Sequence, residues 1–279
     1  MIGTGAHGQT YVERPPAPAL AGVVASVWVQ RVEAGAAPYT HRTVPNGSVE
    51  LCCRVGGEAL VIGPRTTPAV DVLEPGATVI GVRFHPGVTV APGSELVDLA
   101  VAAEDVWGRS AAELGERIAG TARLNDALAL LEADVARRLD GAPQPDPLVA
   151  EAVRRLMPWR APDVTSLHAA LHISERQLRR RCQAAIGLGP KALHRMLRFQ
   201  GFLALVQSQL AQGRRPDGLA RLAAEAGYAD QSHLTRESVR LMGIAPAAFL
   251  DEATHQCAPG HDHRASFLPL LRSRVHAAA

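Results

Sequence analysis

The chain has 279 residues, 47% of them hydrophobic and only 4% aromatic, with a formal net charge of +2. That length suggests two domains rather than one. No run of about 20 apolar residues occurs and the N-terminus lacks a basic stretch followed by an apolar one, so neither a membrane span nor a signal peptide is expected, and the expected location is cytoplasmic.

Charge is distributed unevenly. Residues 1–145 carry 11 Lys+Arg against 16 Asp+Glu, residues 146–250 carry 15 against 8, and the remainder carries 3 of each. A basic half attached to an acidic one points to phosphate contact by the basic half alone. Four cysteines, two of them adjacent at Cys52 and Cys53, do not make the framework of a secreted disulfide scaffold.

Up to about residue 100 the pattern predicts mostly strand. GVVASVWVQRV, SVELCCRV, ALVIG, TVIGVRFH and VTVA are short, rich in valine and separated by Gly, Pro and Asn, as in a small barrel or sandwich. Pro45, Asn46 and Gly47 form a turn ahead of Ser48–Val55. Cys52 and Cys53 point to opposite faces of their strand. The pattern then turns helical: TARLNDALALLEADVARRL places Leu124, Leu128, Leu131, Val135 and Leu139 along one stripe. That stripe is either a dimer seam or the face that packs on the chain's own sheet. GAPQPDP, from Gly141 to Pro147, reads as a linker.

The basic half contains one device twice. PDVTSLHAALHISERQLRRR (Pro162–Arg181) and PDGLARLAAEAGYADQSHLTR (Pro216–Arg236) each give an acidic start, a short apolar-periodic helix, a turn and a polar helix. A helix, a tight turn and a second helix offering polar side chains from its first turns is a unit that fits a DNA major groove. The period is 55 residues from Leu167 to Leu222 and 56 from Leu178 to Leu234, because the second turn, with Gly227, holds one extra residue. Ser174 and Gln177 have the spacing of a capping box. Arg176, Arg179 and Arg180 share one side of the helix that follows, opposite Leu178 and Cys182. Between the units, a helix from Pro190 to Gln207 would be roughly 27 Å long at 1.5 Å per residue.

Residues from about 147 to 250 resemble the DNA-binding domain of the AraC/XylS family of transcriptional regulators. The match is carried by AAEAGYADQSHLTRE (Ala223–Glu237) and by Gly243, Pro246 and Phe249 in GIAPAAF. Leu234, Val239 and Met242 stand where the family more often has phenylalanine. The resemblance implies two helix-turn-helix subdomains joined by a long helix, with Arg176, Gln177, Arg179 and Arg180 of the first unit and Gln231, Ser232, His233 and Arg236 of the second facing DNA. Residues from about 12 to 140 resemble the small-barrel sensor domain of one AraC-type subgroup, through VPNGSVEL, GPR (Gly63–Arg65) and GVRFHPG.

The expected fold is therefore α+β. A β-rich sensor domain with a C-terminal helix would occupy 1–140, a linker 141–147, the DNA-binding domain 148–251 and a His-rich tail 252–279. Trp28, Tyr39, Arg83 and His85, with Phe84 beside them, are the candidate effector-binding residues; the plainer reading gives Trp28 and Phe84 to the core and Arg83 to a structural ion pair. His255, Cys257, His261 and His263 crowd the tail; imidazole and thiolate are good ligands for zinc or copper, whereas the plainer reading is an exposed polar tail. The expected activity is sequence-specific transcription regulation modulated by a small-molecule effector, with no catalytic residue and no cofactor. Promoter DNA is the expected partner, and RNA polymerase contact and homodimerisation stay open. The alternative is a metal- or thiol-responsive sensor, or a covalent-modification enzyme, fused to a DNA-binding domain. That would need a reactive cysteine in a setting such as Pro-Cys-His-Arg, which the sequence lacks.

Overall fold

The computed structural model describes residues 8–88, 95–140, 142, 145–159, 164–214, 216, 218–256 and 261–277, without the side chains of 253–256, 272, 273 and 275–277. Most of the expected strand VTVA, part of the linker, Pro162 and Asp163, Cys257 and the His255 side chain lie outside it.

The first half forms strands β1 (Gln9–Arg14), β2 (Val24–Val32), β3 (Tyr39–Thr43), β4 (Glu50–Arg54), β5 (Ala59–Ile62), β6 (Ala69–Leu73), β7 (Thr78–Phe84) and β8 (Ala100–Ala102), then helices α1 (Ala103–Trp107), α2 (Arg109–Ala119) and α3 (Leu124–Leu139). A seven-stranded sheet has the order β8-β5-β4-β7-β2-β1-β9, and β3 pairs with β6 as a separate ribbon. β9 (His261–Asp262) comes from the far end of the chain and pairs in parallel with β1.

Alternation along the strands gives the sheet two unlike faces. Leu51, Cys53, Val61, Ile80, Val82 and Phe84 pack with Leu114, Ile118, Leu128, Leu131 and Val135 into one core. The stripe on α3 thus belongs to the chain's own sheet, since Leu131 is fully buried and Leu128 and Val135 are nearly so. On the other face Gln9, Glu13, Gln30 and Glu50 are buried although polar.

The second half is helical: α4 (Pro147–Leu156), α5 (Leu167–Ala170), α6 (Glu175–Ile186), α7 (Pro190–Ala211), α8 (Leu219–Glu225), α9 (Gln231–Met242), α10 (Pro246–Gln256) and α11 (Arg264–Ala277). Leu193, Phe199, Phe202 and Val206 of α7 form the spine of its core, against Leu156, Leu178, Leu222 and Leu234. α7 has 22 residues, about 33 Å at 1.5 Å per residue. It outruns the expected end at Gln207 because Leu210 still packs on the core, and the chain turns only at Gly213, with φ +69.

The internal repeat extends past the two units. α6 and α9 both have 12 residues and both end on a left-handed glycine, Gly187 and Gly243, which relieves the strain a side chain would meet there. Pro190 and Pro246 then open α7 and α10. Each pair is separated by the same 56 positions.

The C-terminal segment departs from the exposed tail of the sequence reading. β9 adds to the sheet edge and α11 lies on α7, with Phe267 buried. Trp159 Nε1 donates to the Leu270 carbonyl at 2.8 Å, and Arg274 pairs with Glu225 of α8 at 3.0 Å. Apolar contact and paired polar groups, invisible in the segment's own weak periodicity, explain why it folds back.

Candidate nucleic-acid interface and effector cavity

Ser174 starts α6 with a complete capping box. Gln177 N donates to Ser174 Oγ at 3.2 Å, and Ser174 N donates to Gln177 Oε1 at 2.9 Å. Gln177 Oε1 is thereby engaged in the cap, while Leu178 and Cys182 face the core as expected. Arg176, Arg179 and Arg180 are exposed, and none makes a hydrogen bond or ion pair with another described residue. Arg181 is different: it pairs at 2.6 Å with Asp146, whose carboxylate also caps α4 by accepting from Leu148 N at 2.9 Å. Three arginines present free guanidinium groups to solvent and the fourth fastens two helices.

The second unit is capped by a different residue. Asp230 Oδ1 accepts from His233 N at 2.6 Å, so the extra residue in this turn brings a carboxylate to the N-cap, where it also complements the helix dipole. Gly227 takes φ +79; the corresponding His172 of the first unit is also left-handed, at φ +55. Gln231, Ser232 and Arg236 are exposed. His233 is half-buried, its ring edge-on to Tyr228 at 5.2 Å, and Tyr228 in turn lies under Arg198 of α7. His233 is thus partly a packing residue.

The inner face of the sheet, together with the β3–β6 ribbon, encloses a cavity of about 470 Å³ lined by Trp28, Gln30, His41, Cys52, Leu60 and Arg65 among others. A neighbouring space of about 210 Å³ lies between this face and helices α7, α10 and α11, with Tyr11, Glu13, Tyr39, Arg83, His261 and His263 in its wall. Trp28, His41 and Glu50 border both. Trp28 stands over Gly81, where an added Cβ would sit 2.3 Å from the indole. Of the four expected effector residues, Trp28, Tyr39 and Arg83 gather at these spaces. His85 does not: it lies beyond the end of β7, with Nε2 at 3.3 Å from the Ala21 carbonyl. Phe84 belongs to the core on the opposite face.

Arg83 is the hub of the polar face. Its Nε donates to Glu50 at 2.8 Å and its Nη1 to Glu13 at 2.9 Å and to Ser266 Oγ of α11 at 3.0 Å. Burial opposes its charge, but Glu50, Tyr11 and Glu13 outweigh burial and raise its pKa. Burial pushes the Cys52 thiol up to about 12, which keeps it protonated and a poor nucleophile. Burial also lowers the pKa of His41 despite the opposing fields of Glu50 and Asp71. Gln30, His41, Arg42 and Arg65 were not singled out from the sequence. The signal for Gln30 was the inward phase of Gln9-x-Tyr11-x-Glu13 and Trp28-x-Gln30, polar residues where a strand packed on both sides carries apolar ones; His41 and Arg42 on β3 and Arg65 after β5 carry no such signal.

Among the tail residues, His261 Nε2 lies 2.6 Å from Gln9 Oε1, and His263 stacks on Tyr11 at 4.7 Å. Burial, with His263 and His41 nearby, holds His261 down to about 3. No group of three or more His, Cys, Asp or Glu suited to a metal exists among the described residues, which leave out Cys257 and the His255 side chain. No described helix is long and apolar enough to cross a membrane.

Residues 167–252 match the profile of a "Helix-turn-helix domain" family, and residues 12–94 that of a "Domain of unknown function (DUF6597)". No curated protein sequence matches the chain. Among solved structures, apo ToxT from Vibrio cholerae strain SCE256, as a single-residue variant, is similar at 9% identity over 89% of this chain and 99% of its own, with a TM-score of 0.45. ToxT from Vibrio cholerae O395 bound to (E)-4-(8-methylnaphthalen-1-yl)but-3-enoic acid is similar at 10% identity over 77% and 97%, also with a TM-score of 0.45. The chain thus carries a helix-turn-helix domain of the AraC type behind a sheet-rich domain of the DUF6597 type.

Proposed function

We propose that the chain regulates transcription by placing α6 and α9 in successive major grooves of one promoter duplex, and that occupation of the sheet-lined cavity modulates this binding. The observation that carries the reading is the pair of equal, capped helices joined by α7, about 33 Å long. Successive major-groove faces on one side of B-DNA are about 34 Å apart. The free arginines of α6 supply the phosphate attraction and the bidentate donors that guanine O6 and N7 accept.

In this reading residues 1–140 are the sensor domain, 141–147 the linker, 148–251 the DNA-binding domain and 252–279 the tail, of which β9 and α11 pack against both. The protein acts in the cytoplasm, on double-stranded DNA, as a regulator rather than an enzyme. Contact with RNA polymerase or a second copy is left to surfaces other than the buried α3 stripe. Footprinting of the full chain on its own promoter region tests the proposal: two protected patches about one helical turn apart on one face are expected. A single patch centred on one unit would refute simultaneous engagement.

A further inference from the structure

The large cavity has an unpaired cation. Arg65 lines it, makes no hydrogen bond or ion pair with any described residue, and keeps its Nε buried without a partner. Asp98 acts on Arg65 only through its field, because its carboxylate is bonded to Thr66, accepting from Thr66 N at 2.6 Å and from Thr66 Oγ1 at 2.5 Å. Glu50, the buried acid of the cavity, is held by Arg83 and by Asn46 Nδ2 at 3.3 Å. The other carboxylates of the lining, Glu58 and Asp71, are on exposed residues.

Arg65 is also held in place by its backbone. Gly63, two residues earlier, fits so closely that an added Cβ would come within 1.8 Å of the Leu96 carbonyl. Gly63 N donates to the Leu99 carbonyl at 3.0 Å, and Asp98 N to the Pro64 carbonyl at 3.1 Å. A guanidinium on a pinned loop, facing a largely apolar space with its Nε buried and unbonded and only the field of the Thr66-bound Asp98 nearby, lacks the hydrogen-bond partner that a ligand would supply.

Two further groups in the same space lack partners. Trp28 Nε1 is a buried donor with nothing to donate to, and Gln30, 2% exposed, has its Oε1 unbonded while its Nε2 donates to Gln9 at 2.9 Å. Leu60, Ile62, Leu73 and Val79 supply apolar wall between them.

We infer that this cavity binds a small carboxylic acid with an apolar body, its carboxylate received by Arg65. Trp28 Nε1 donates to a second oxygen of the ligand, and Gln30 Oε1 accepts from a ligand hydroxyl or amide. A bidentate guanidinium–carboxylate pair is the strong, directional contact such a ligand requires. This rests on the effector reading above, which it narrows to one chemical class.

The test uses the full chain, with benzoate, 2-naphthoate and octanoate as probes and the three matching primary amides as uncharged counterparts. Ligand that binds the folded state raises the thermal midpoint by mass action. At least one acid is expected to raise it, its amide to do so at least tenfold less potently, and Arg65→Gln to remove the acid's advantage. Arg31→Gln, on the outer face of the sheet, should leave it intact, and circular dichroism checks that both variants fold. Amides as potent as acids, or acid binding untouched by Arg65→Gln, would overturn the assignment to acids while leaving a small-molecule site standing. No response to any of the six would also overturn it. An acid that binds through Arg65 yet leaves promoter affinity unchanged would sink the effector reading and spare the site.

Discussion

Arg42 Nη1 donates to the carbonyl oxygen of Met242 at 3.0 Å, across 200 positions of sequence. Arg42 sits on β3 between His41 and Thr43, both of which line the large cavity, whereas Met242 is the last residue of α9. The strand that walls the cavity therefore holds the C-terminal end of α9, the second of the two helices proposed to enter DNA. A cation there also complements the helix dipole. The turn that follows β3 reaches α7 as well: Gln200 Nε2 donates to the Pro45 carbonyl at 3.1 Å, and Gly47 lies against Leu193.

Replacing Arg42 with Ala removes the tie without touching a recognition side chain. A charge-assisted hydrogen bond of this kind contributes about 1.5–3 kcal/mol when well formed, less here because the guanidinium is partly exposed. The variant should keep DNA binding but lose most of its response to any ligand that shifts the wild type. Titrating promoter DNA with and without ligand checks this; an unchanged response would mean that the signal takes another route.

A second tie runs through α11. Arg83 and Glu13 hold Ser266, whose N donates to Glu13 Oε2 at 2.9 Å and whose hydroxyl also donates there, and Arg274 reaches Glu225 of α8. Ending the chain at Gln256 removes β9 and α11, uncovers apolar surface on α7 and strands the Glu13–Arg83 pair at the sheet. The truncated protein should melt several degrees lower, since a loss of about 1 kcal/mol moves the midpoint of a domain of this size by a few degrees. Calorimetry on both forms decides it, and an unchanged midpoint would make the segment an ornament.

The same segment carries a pH dependence. His261 falls to about 3 through burial and through His263 and His41, and burial lowers His263 as well, despite Glu13 and Asp262, with Arg83 and His41 adding to the fall. The folded state therefore holds fewer protons on these rings than the unfolded state, whose imidazoles titrate near 6.5. Stability must then drop as pH falls from about 6.5 toward 3. Replacing His261 with Asn and His263 with Gln should flatten the midpoint between pH 6.5 and 4.5; an equally steep loss in the double variant would assign the acid sensitivity elsewhere.

Much of this was legible in the residues. The doubled unit was readable because capping residues and left-handed turns are local events: Ser174, Gln177 and Gly227 announce themselves within four positions. The apolar strands β2, β4, β5 and β7 were readable from valine-rich alternation. β1, β3 and β6 were not: the inward positions of β1 carry Gln, Tyr and Glu, buried by pairing with residues far along the chain, and β3 and β6 form a partly exposed ribbon whose cavity side carries His, Thr and Asp. Arg83 was visible as a candidate but not its partners, and His85, one residue past β7, was misplaced because a strand's last residue and its exit cannot be told apart by alternation. The C-terminal segment was least readable, since Tyr11, Glu13 and Trp159, which hold it, lie more than 100 residues upstream.

Within α6 the arginines should divide by role. Arg181 is tied to Asp146, whereas Arg176, Arg179 and Arg180 are free to meet DNA. Arg180→Ala should cost about 1–3 kcal/mol on the cognate site if it reads a base. Competition binding against random duplex separates the cases: a loss confined to the cognate site marks base reading, and an equal loss on both marks a phosphate contact.

The second unit depends on fewer charges. Gln231 and Arg236 are exposed on α9, while His233 shares its ring with Tyr228, so its truncation combines a lost DNA contact with a lost edge-to-face packing contact. Changing Gln231, His233 and Arg236 together to Ala should erase the footprint of the second unit and spare that of the first, because α6 keeps its own cap and its own arginines. The packing share is separable: His233→Ala alone should lower the thermal midpoint slightly without DNA present, and Arg236→Ala, an exposed residue, should not. Retention of both footprints in the triple variant would assign α9 to packing or to a protein partner rather than to DNA.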